Sequence, residues 1–383
     1  MPRYKVTIAR MGTSNIFLRS FLGELGFEPL LPPPITQETL SLGSRYTPEF
    51  ACLPLKVNLG NYLQTLETQD PDLIFMAGGI GPCRFGLYGE VQKETLRSLG
   101  YDLPFIVVEP PKKHFTEVIQ NFTRFLGWKF WRNLPRAARI CWCKAKVTDD
   151  LDKMTLSLAP HLSLEWRKQL WRKRDEFLTA IDQTGKVERL KAILAEAEEA
   201  FASFPQEPRA EVLRVMVVGE IYTVLEPAVN FQVERKLSLM GIEVTRTIYI
   251  SEWIWQQIIL NFLRVDWQKS LREEAKPYLS RFIGGHGLET VAYTVQAARR
   301  HYDGVVQLAP LGCMPEVVAM SIIGQVRKER RIPVLSLLLD EHTAEAGALT
   351  RIEAFVDLIQ NRRTCTNSGK GFCARRAGLT EDS

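Results

Sequence analysis

The chain has no apolar run approaching the ~18 residues that a membrane helix needs. Its opening, Met1-Pro-Arg-Tyr-Lys-Val-Thr-Ile8, enters a strand pattern with no signal-peptide core, so a cytoplasmic protein off the membrane is expected. Basic residues form no long block: 49 stand against 44 acidic ones, scattered through helical stretches, and the net charge of +5 argues against nucleic acid as a partner. C-x2-C spacing is absent, which removes the zinc-ribbon and ferredoxin signatures. Between about residues 114 and 204 the strand pattern is missing altogether. What remains is a chain of 383 residues, 45% hydrophobic, long enough for two α/β domains with a large core. Seven cysteines in a reducing compartment read as buried thiols, metal ligands or redox groups before a disulfide framework.

Strand and helix patterns alternate at both ends of the chain. Residues 5–9 read as a strand, 16–25 as a helix behind Gly12-Thr-Ser-Asn15, and Pro32-Pro-Pro34 as a break before a loop at 43–56. A helix at 57–66 and a strand at 72–76 lead into Ala77-Gly-Gly-Ile-Gly-Pro-Cys-Arg-Phe-Gly-Leu-Tyr88, a glycine-rich turn opening into another helix, and 104–109 is the next strand. Helices are expected at 115–130, 131–154, 164–181 and 187–201, and Pro205-Gln-Glu-Pro208 cannot continue the last one. The alternation then resumes: strands at 213–219, 244–249, 303–309 and 332–338, and helices ending near 240, over 253–281 with a break near Pro277, and over 314–327 and 344–359. The expected fold class is α/β, two Rossmann-like (flavodoxin-like) open parallel-sheet domains with a helical middle segment. Boundaries are expected at 1–113, 114–208 (a helical insertion or cap), 209–361 and a flexible tail at 362–383 that holds Cys365 and Cys373.

Cys52 precedes a helix, where backbone N–H groups and the helix dipole favour a thiolate. Cys83 and Cys313 lie in matching turns at the carboxyl ends of strands, the edge where open α/β sheets bind ligands. Loops from both domains could therefore meet across a cleft, and three thiolates on one centre leave one corner of a cubane open. By spacing alone, three unrelated buried cysteines explain the pattern more simply.

Other candidates carry paired readings. Glu220 and Tyr222 follow a strand and face the cleft as proton donors or serve as a hydrogen-bonded loop. Gly284-Gly-His-Gly287 brings His286 to the cleft or is a tight turn, and Arg84 offsets negative charge beside Cys83 or caps a turn. Glu341-His342 is a further edge position. Cys141 and Cys143 sit in a helix, where i and i+2 point apart, and read as core thiols.

The loops Glu49-Phe-Ala-Cys-Leu-Pro-Leu-Lys56, Gly78-Gly-Ile-Gly-Pro-Cys-Arg-Phe-Gly86 and Leu308-Ala-Pro-Leu-Gly-Cys-Met-Pro-Glu316, with Val218-Gly-Glu-Ile-Tyr222 and Gly284-Gly-His-Gly287 between them, resemble the 2-hydroxyacyl-CoA dehydratase and benzoyl-CoA reductase superfamily. The nearest likeness is to its CoA-activase-associated branch, related to double-cubane cluster proteins, over roughly residues 5–359. The resemblance implies an anaerobic iron–sulfur protein with a [4Fe-4S] or double-cubane cluster on Cys52, Cys83 and Cys313. It implies electrons from a separate ATP-hydrolysing activase of the acetate kinase/Hsp70/actin fold, a homo- or heterodimer with a paralogous subunit, and a small-molecule substrate. ATP would act only through that partner, since no glycine-rich nucleotide motif stands between a strand and a helix, and Ser368-Gly-Lys-Gly371 has no strand before it. Two further functions fit the same chain: a non-catalytic cluster carrier beside a catalytic paralogue, and a cluster-free metabolite-binding protein.

Overall fold

The computed structural model describes residues 3–78, 83–108, 115–207, 211–261 and 263–367. The first sheet contains β1 (Lys5–Ile8), β2 (Glu28–Leu30), β3 (Leu73–Ala77) and β4 (Phe105–Val108), all parallel and in the order β2-β1-β3-β4. Helices α1 (Ser14–Leu25), α2 (Gln37–Arg45), α3 (Leu53–Gln69) and α4 (Tyr88–Ser98) connect its strands. The helical stretch follows as α5 (Phe115–Leu126), α6 (Trp128–Leu158), α7 (Leu164–Gln183) and α8 (Val187–Ala202).

The second sheet repeats the first. Strands β5 (Arg214–Gly219), β6 (Glu243–Arg246), β7 (Gly304–Pro310) and β8 (Val334–Leu339) lie parallel in the order β6-β5-β7-β8. Its connections are α9 (Ile221–Leu225), α10 (Pro227–Asn230), α11 (Val233–Leu239), α12 (Ile250–Ile254), α13 (Lys269–Ala275), α14 (Gly287–Arg299) and α15 (Met314–Arg330), with α16 (Glu345–Asn367) closing it. The fold class is therefore α/β with two open parallel sheets. Strands covered by helices on both faces have to be apolar throughout, and β7 is buried along its whole length. The strand order reverses between β1 and β3 and again between β5 and β7, so each sheet has a crevice at the carboxyl ends of those strands.

The two sheets share a core. Phe17, Leu53 and Val57 from the first half pack in one cluster with Val217, Tyr222 and Leu308 from the second. Gly12 N–H donates to Glu226 Oε2 at 2.6 Å, and Lys56 is ion-paired with Glu341. The helical stretch is tied to the second sheet by a buried network in which Asp152 meets Arg174 at 2.6 Å and Arg246 at 3.0 Å, while Arg246 reaches Glu234 at 3.2 Å. Among the described residues, no helix is long and apolar enough to cross a membrane.

Several elements depart from the sequence expectations. The expected helix over 115–130 stops at Leu126, because Gly127 adopts φ 56° and a new helix starts behind it. The expected helix over 253–281 is α12, a π-helical turn over Trp255–Leu260 and the separate α13. Strand β2 and most of helix α2 occupy stretches for which no element was expected, the expected loop at 43–56 holds the end of α2 and the start of α3, and the expected loop over 220–230 forms the short helices α9 and α10. The closing helix continues to Asn367, so Cys365 is helical, while Cys373 lies outside the described residues.

Candidate functional site

Each of Cys52, Cys83 and Cys313 is the residue immediately before a helix, in extended backbone. Cys52 leads into α3, Cys83 into the tight turn Arg84–Leu87 that runs on into α4, and Cys313 into α15. Pro54 and Pro315 occupy the first turns of α3 and α15, where the missing N–H costs nothing and the fixed φ suits the helix. No strict capping hydrogen bond closes on any of the sulfurs, yet the amides of Leu55, Phe85 and Glu316 lie close enough to favour the charged forms of Cys52, Cys83 and Cys313. Three helix N-termini thus point at sulfur.

The loops meet across the two sheets. Gly312 has φ +78°, and a Cβ there would stand 3.0 Å from the carbonyl oxygen of Phe50, two residues before Cys52. Gly285, at φ +48°, packs so that a Cβ would sit 3.1 Å from Pro315 Cγ and 3.8 Å from the sulfur of Cys83. Arg84 Nη1 donates to the Phe50 carbonyl at 3.4 Å, fastening the Cys83 loop to the Cys52 loop. Cys52 senses Cys83, and Cys313 senses Cys52.

Burial governs the charge state of these thiols. Desolvation, reinforced by Glu220, pushes Cys52 up to about 12 from 9.0 and raises Cys83 and Cys313 as well. Without a counter-charge all three are neutral at pH 7. An iron centre supplies that positive charge, so this donor set suits one. Among the described residues, no three Cys, His, Asp or Glu side chains close tightly enough to hold a single metal ion. Thiolates on a cubane bind different irons, so a cluster would need them further apart than the ligands of one ion.

Glu220 caps α9, accepting from the Tyr222 and Thr223 amides at 3.0 Å each, and its carboxyl is raised by burial. It is the carboxyl sensed by all three thiols. Tyr222 points elsewhere, into the shared core beside Glu226, Tyr62 and Arg10. His286 stands before α14, the helix leading into β7, as Cys52 stands before α3, the helix leading into β3. Burial pushes its imidazole down to about 4. Glu341 pairs with Lys56. Cys141 packs against the core shared by the two sheets and Cys143 against the core of the helical stretch. Tyr88 was not anticipated: its hydroxyl lies against the Cys52 sulfur, and the only trace in the sequence is an aromatic residue five positions after Cys83.

Apolar side chains stand exposed in the cysteine loops, beside the charged Arg84 and Glu49. Phe50 is 78% exposed and Leu87 65%, and Leu311, Met314 and Val317 are exposed beside them.

The model of the 2-hydroxyglutaryl-CoA dehydratase D-component family matches residues 25–359, a span that contains all three cysteine loops, the Glu220 cap and the Gly284–Gly287 turn. The chain belongs to this family. Compared with curated proteins it has no match. As a family member the chain is a 2-hydroxyacyl-CoA dehydratase-type component, and the matched span begins at the last residue of α1 and ends within α16.

Proposed function

We propose that this dehydratase-type component holds an iron–sulfur cluster on Cys52, Cys83 and Cys313, receives low-potential electrons from an ATP-hydrolysing activase, and reduces an acyl-CoA-type substrate in the crevice between the sheets. The observation that carries the reading is the convergence of three cysteines from both sheets, Cys313 buried and Cys52 and Cys83 half-buried, each standing immediately before a helix. When bound, such a cluster supplies one-electron transfer at a potential set by burial and by hydrogen bonds to sulfur. With Cys141 and Cys143 packed in separate cores, the three thiols suit a single cubane with one corner free for substrate.

The chain's own groups set the conditions for that chemistry. Glu220, fixed as a cap, keeps a carboxyl beside the thiols and disfavours added negative charge. The amides of Leu55, Phe85 and Glu316 and the Tyr88 hydroxyl oppose it by donating toward sulfur. Domains bounded near residues 113 and 208 would place the helical stretch as a brace between the sheets. The apolar collar of Phe50, Leu87, Leu311, Met314 and Val317 is the surface on which the activase, of the acetate kinase/Hsp70/actin fold, or a paralogous subunit would dock. Visible and electron paramagnetic resonance spectra, recorded anaerobically with an activase, test the reading. ATP-dependent bleaching of the cluster supports it. Bleaching independent of ATP, or absent despite full iron, refutes the electron-transfer role.

A further inference from the structure

The helical stretch carries a face that packing leaves open. Residues 118–148 hold no aspartate or glutamate and seven lysines and arginines, spread at helical spacing so that no block appears in the sequence. In the first three turns of α6 the basic residues sort onto one side. Trp128, Trp131, Arg132, Arg136 and Arg139 fall at helical positions i, i+3, i+4, i+8 and i+11 and all are exposed, with Lys129 flanking them, whereas Phe130, Ala137 and Ile140 on the opposite side are buried. The result is a ridge about 18 Å long. On it Trp128 is 78% and Trp131 45% exposed, an unusual display of two large aromatic rings among cations.

The ridge begins at the amino edge of the first sheet. Asn133 Nδ2 donates to the Leu25 carbonyl at the end of α1 at 3.1 Å, and Arg136 meets Glu24 at 2.9 Å. Just before Gly127, Phe125 stands edge-on to Tyr4, the residue preceding β1, with ring centroids 5.3 Å apart. Cys83 lies beyond the carboxyl end of β3, at the opposite edge of the same sheet. Whatever covers the start of the ridge therefore leaves the cysteine loops free.

The composition of the ridge decides what covers it. Among the described side chains Glu24 is the acid ion-paired with it, and Lys129, Arg132 and Arg139 have no ion pair. A second copy would set like charges against each other, and a nucleic-acid strand needs a groove along its phosphates where the side of one helix offers a ridge. An anionic bilayer needs no matching shape. Indole rings settle at headgroup depth, and arginine and lysine stems reach along the interface to place their charges on phosphates. We propose that the first three turns of α6 seat the protein on an anionic phospholipid surface, with Trp128 and Trp131 among the headgroups and Lys129, Arg132, Arg136 and Arg139 against lipid phosphates. The expectation of a protein off the membrane rests on the absence of a spanning run, and lying on a bilayer needs no such run. The inference is separate from the electron-transfer reading and uses none of its residues.

The test is co-sedimentation of the full, anaerobically purified chain with vesicles of phosphatidylcholine alone and of phosphatidylcholine carrying about one-third phosphatidylglycerol. The anionic vesicles are expected to take up the protein at least about tenfold more strongly, and added salt to weaken that uptake. Arg132→Gln with Arg139→Gln, and Trp128→Ser with Trp131→Ser, are each expected to lose about tenfold or more in partitioning. Melting temperature and iron content are expected to stay unchanged in both, since all four side chains face solvent. Brominated acyl chains are expected to quench the tryptophan emission of wild type, and the tryptophan double variant to lose most of that quenching. No uptake by anionic vesicles, equal uptake by neutral ones, or uptake that both double variants retain overturns the proposal. So does capture of oligothymidylate more tightly than of vesicles, lost in the same variants, which gives the face to single-stranded nucleic acid.

Discussion

The hydroxyl of Tyr88 lies against the sulfur of Cys52, in a ring environment only 4% exposed. A donor directed at sulfur stabilises negative charge there, and hydrogen bonds to ligating sulfurs raise cluster potentials. Tyr88→Phe is therefore expected to retain iron while its midpoint potential falls by on the order of tens of millivolts. A spectroelectrochemical titration measures this. An unchanged potential would mean that the contact has no electronic role.

Stability of the metal-free protein is expected to fall as pH rises through two windows. Glu316, hydrogen-bonded to Gln307 and Thr290 in full burial, is raised from 4.5 to about 7. Between those values the unfolded chain releases the proton and the folded chain keeps it, so unfolding becomes easier with rising pH. Cys52 acts with the same sign between 9.0 and about 12. Urea midpoints measured from pH 4.5 to 8 should drop, and Glu316→Gln should remove on the order of 3 kcal/mol of that loss in unfolding free energy. A rise over that interval in wild type would contradict the assignment.

Asp152 holds Arg174 and Arg246 at once, with its side chain buried. Removing it leaves Arg246 with Glu234 as its ion-pair partner and Asp149 nearby, and a buried guanidinium short of charge. Asp152→Ala is expected to lose about 3–5 kcal/mol in denaturant unfolding, more than a surface ion pair could account for. A loss below about 1 kcal/mol would show the network to be dispensable.

The collar makes a separable prediction. Phe50→Ser with Leu311→Ser should leave iron content and melting temperature unchanged, since both side chains face solvent. Activase-driven reduction should slow at least about tenfold, as expected when apolar anchors leave an interface. Wild-type rates in the double variant would place docking elsewhere.

Much of the architecture was legible in the chain because buried parallel strands have to be apolar and the turns between them carry glycine and proline. The runs at 72–76 and 303–309 announced β3 and β7 and, with them, Cys83 and Cys313. Strand β2 was not legible: it is three residues at a sheet edge, one of them Pro29, held by pairing with β1. Helix α2 is polar in sequence, and packing against α3 supports it. The π-helical turn has no sequence signature of its own and falls within the single helix expected over 253–281. The contact between Tyr88 and Cys52 likewise joins two loops 36 residues apart.

The central claim is that Cys52, Cys83 and Cys313 hold one cluster, and iron with acid-labile sulfide per chain after strictly anaerobic purification tests it most directly. The account predicts about four irons and four sulfides in wild type, as for a single cubane, and loss of both in Cys52→Ala, Cys83→Ala and Cys313→Ala with the fold intact. A well-folded wild type that stays free of iron after reconstitution, or single variants that keep their full complement, would contradict it.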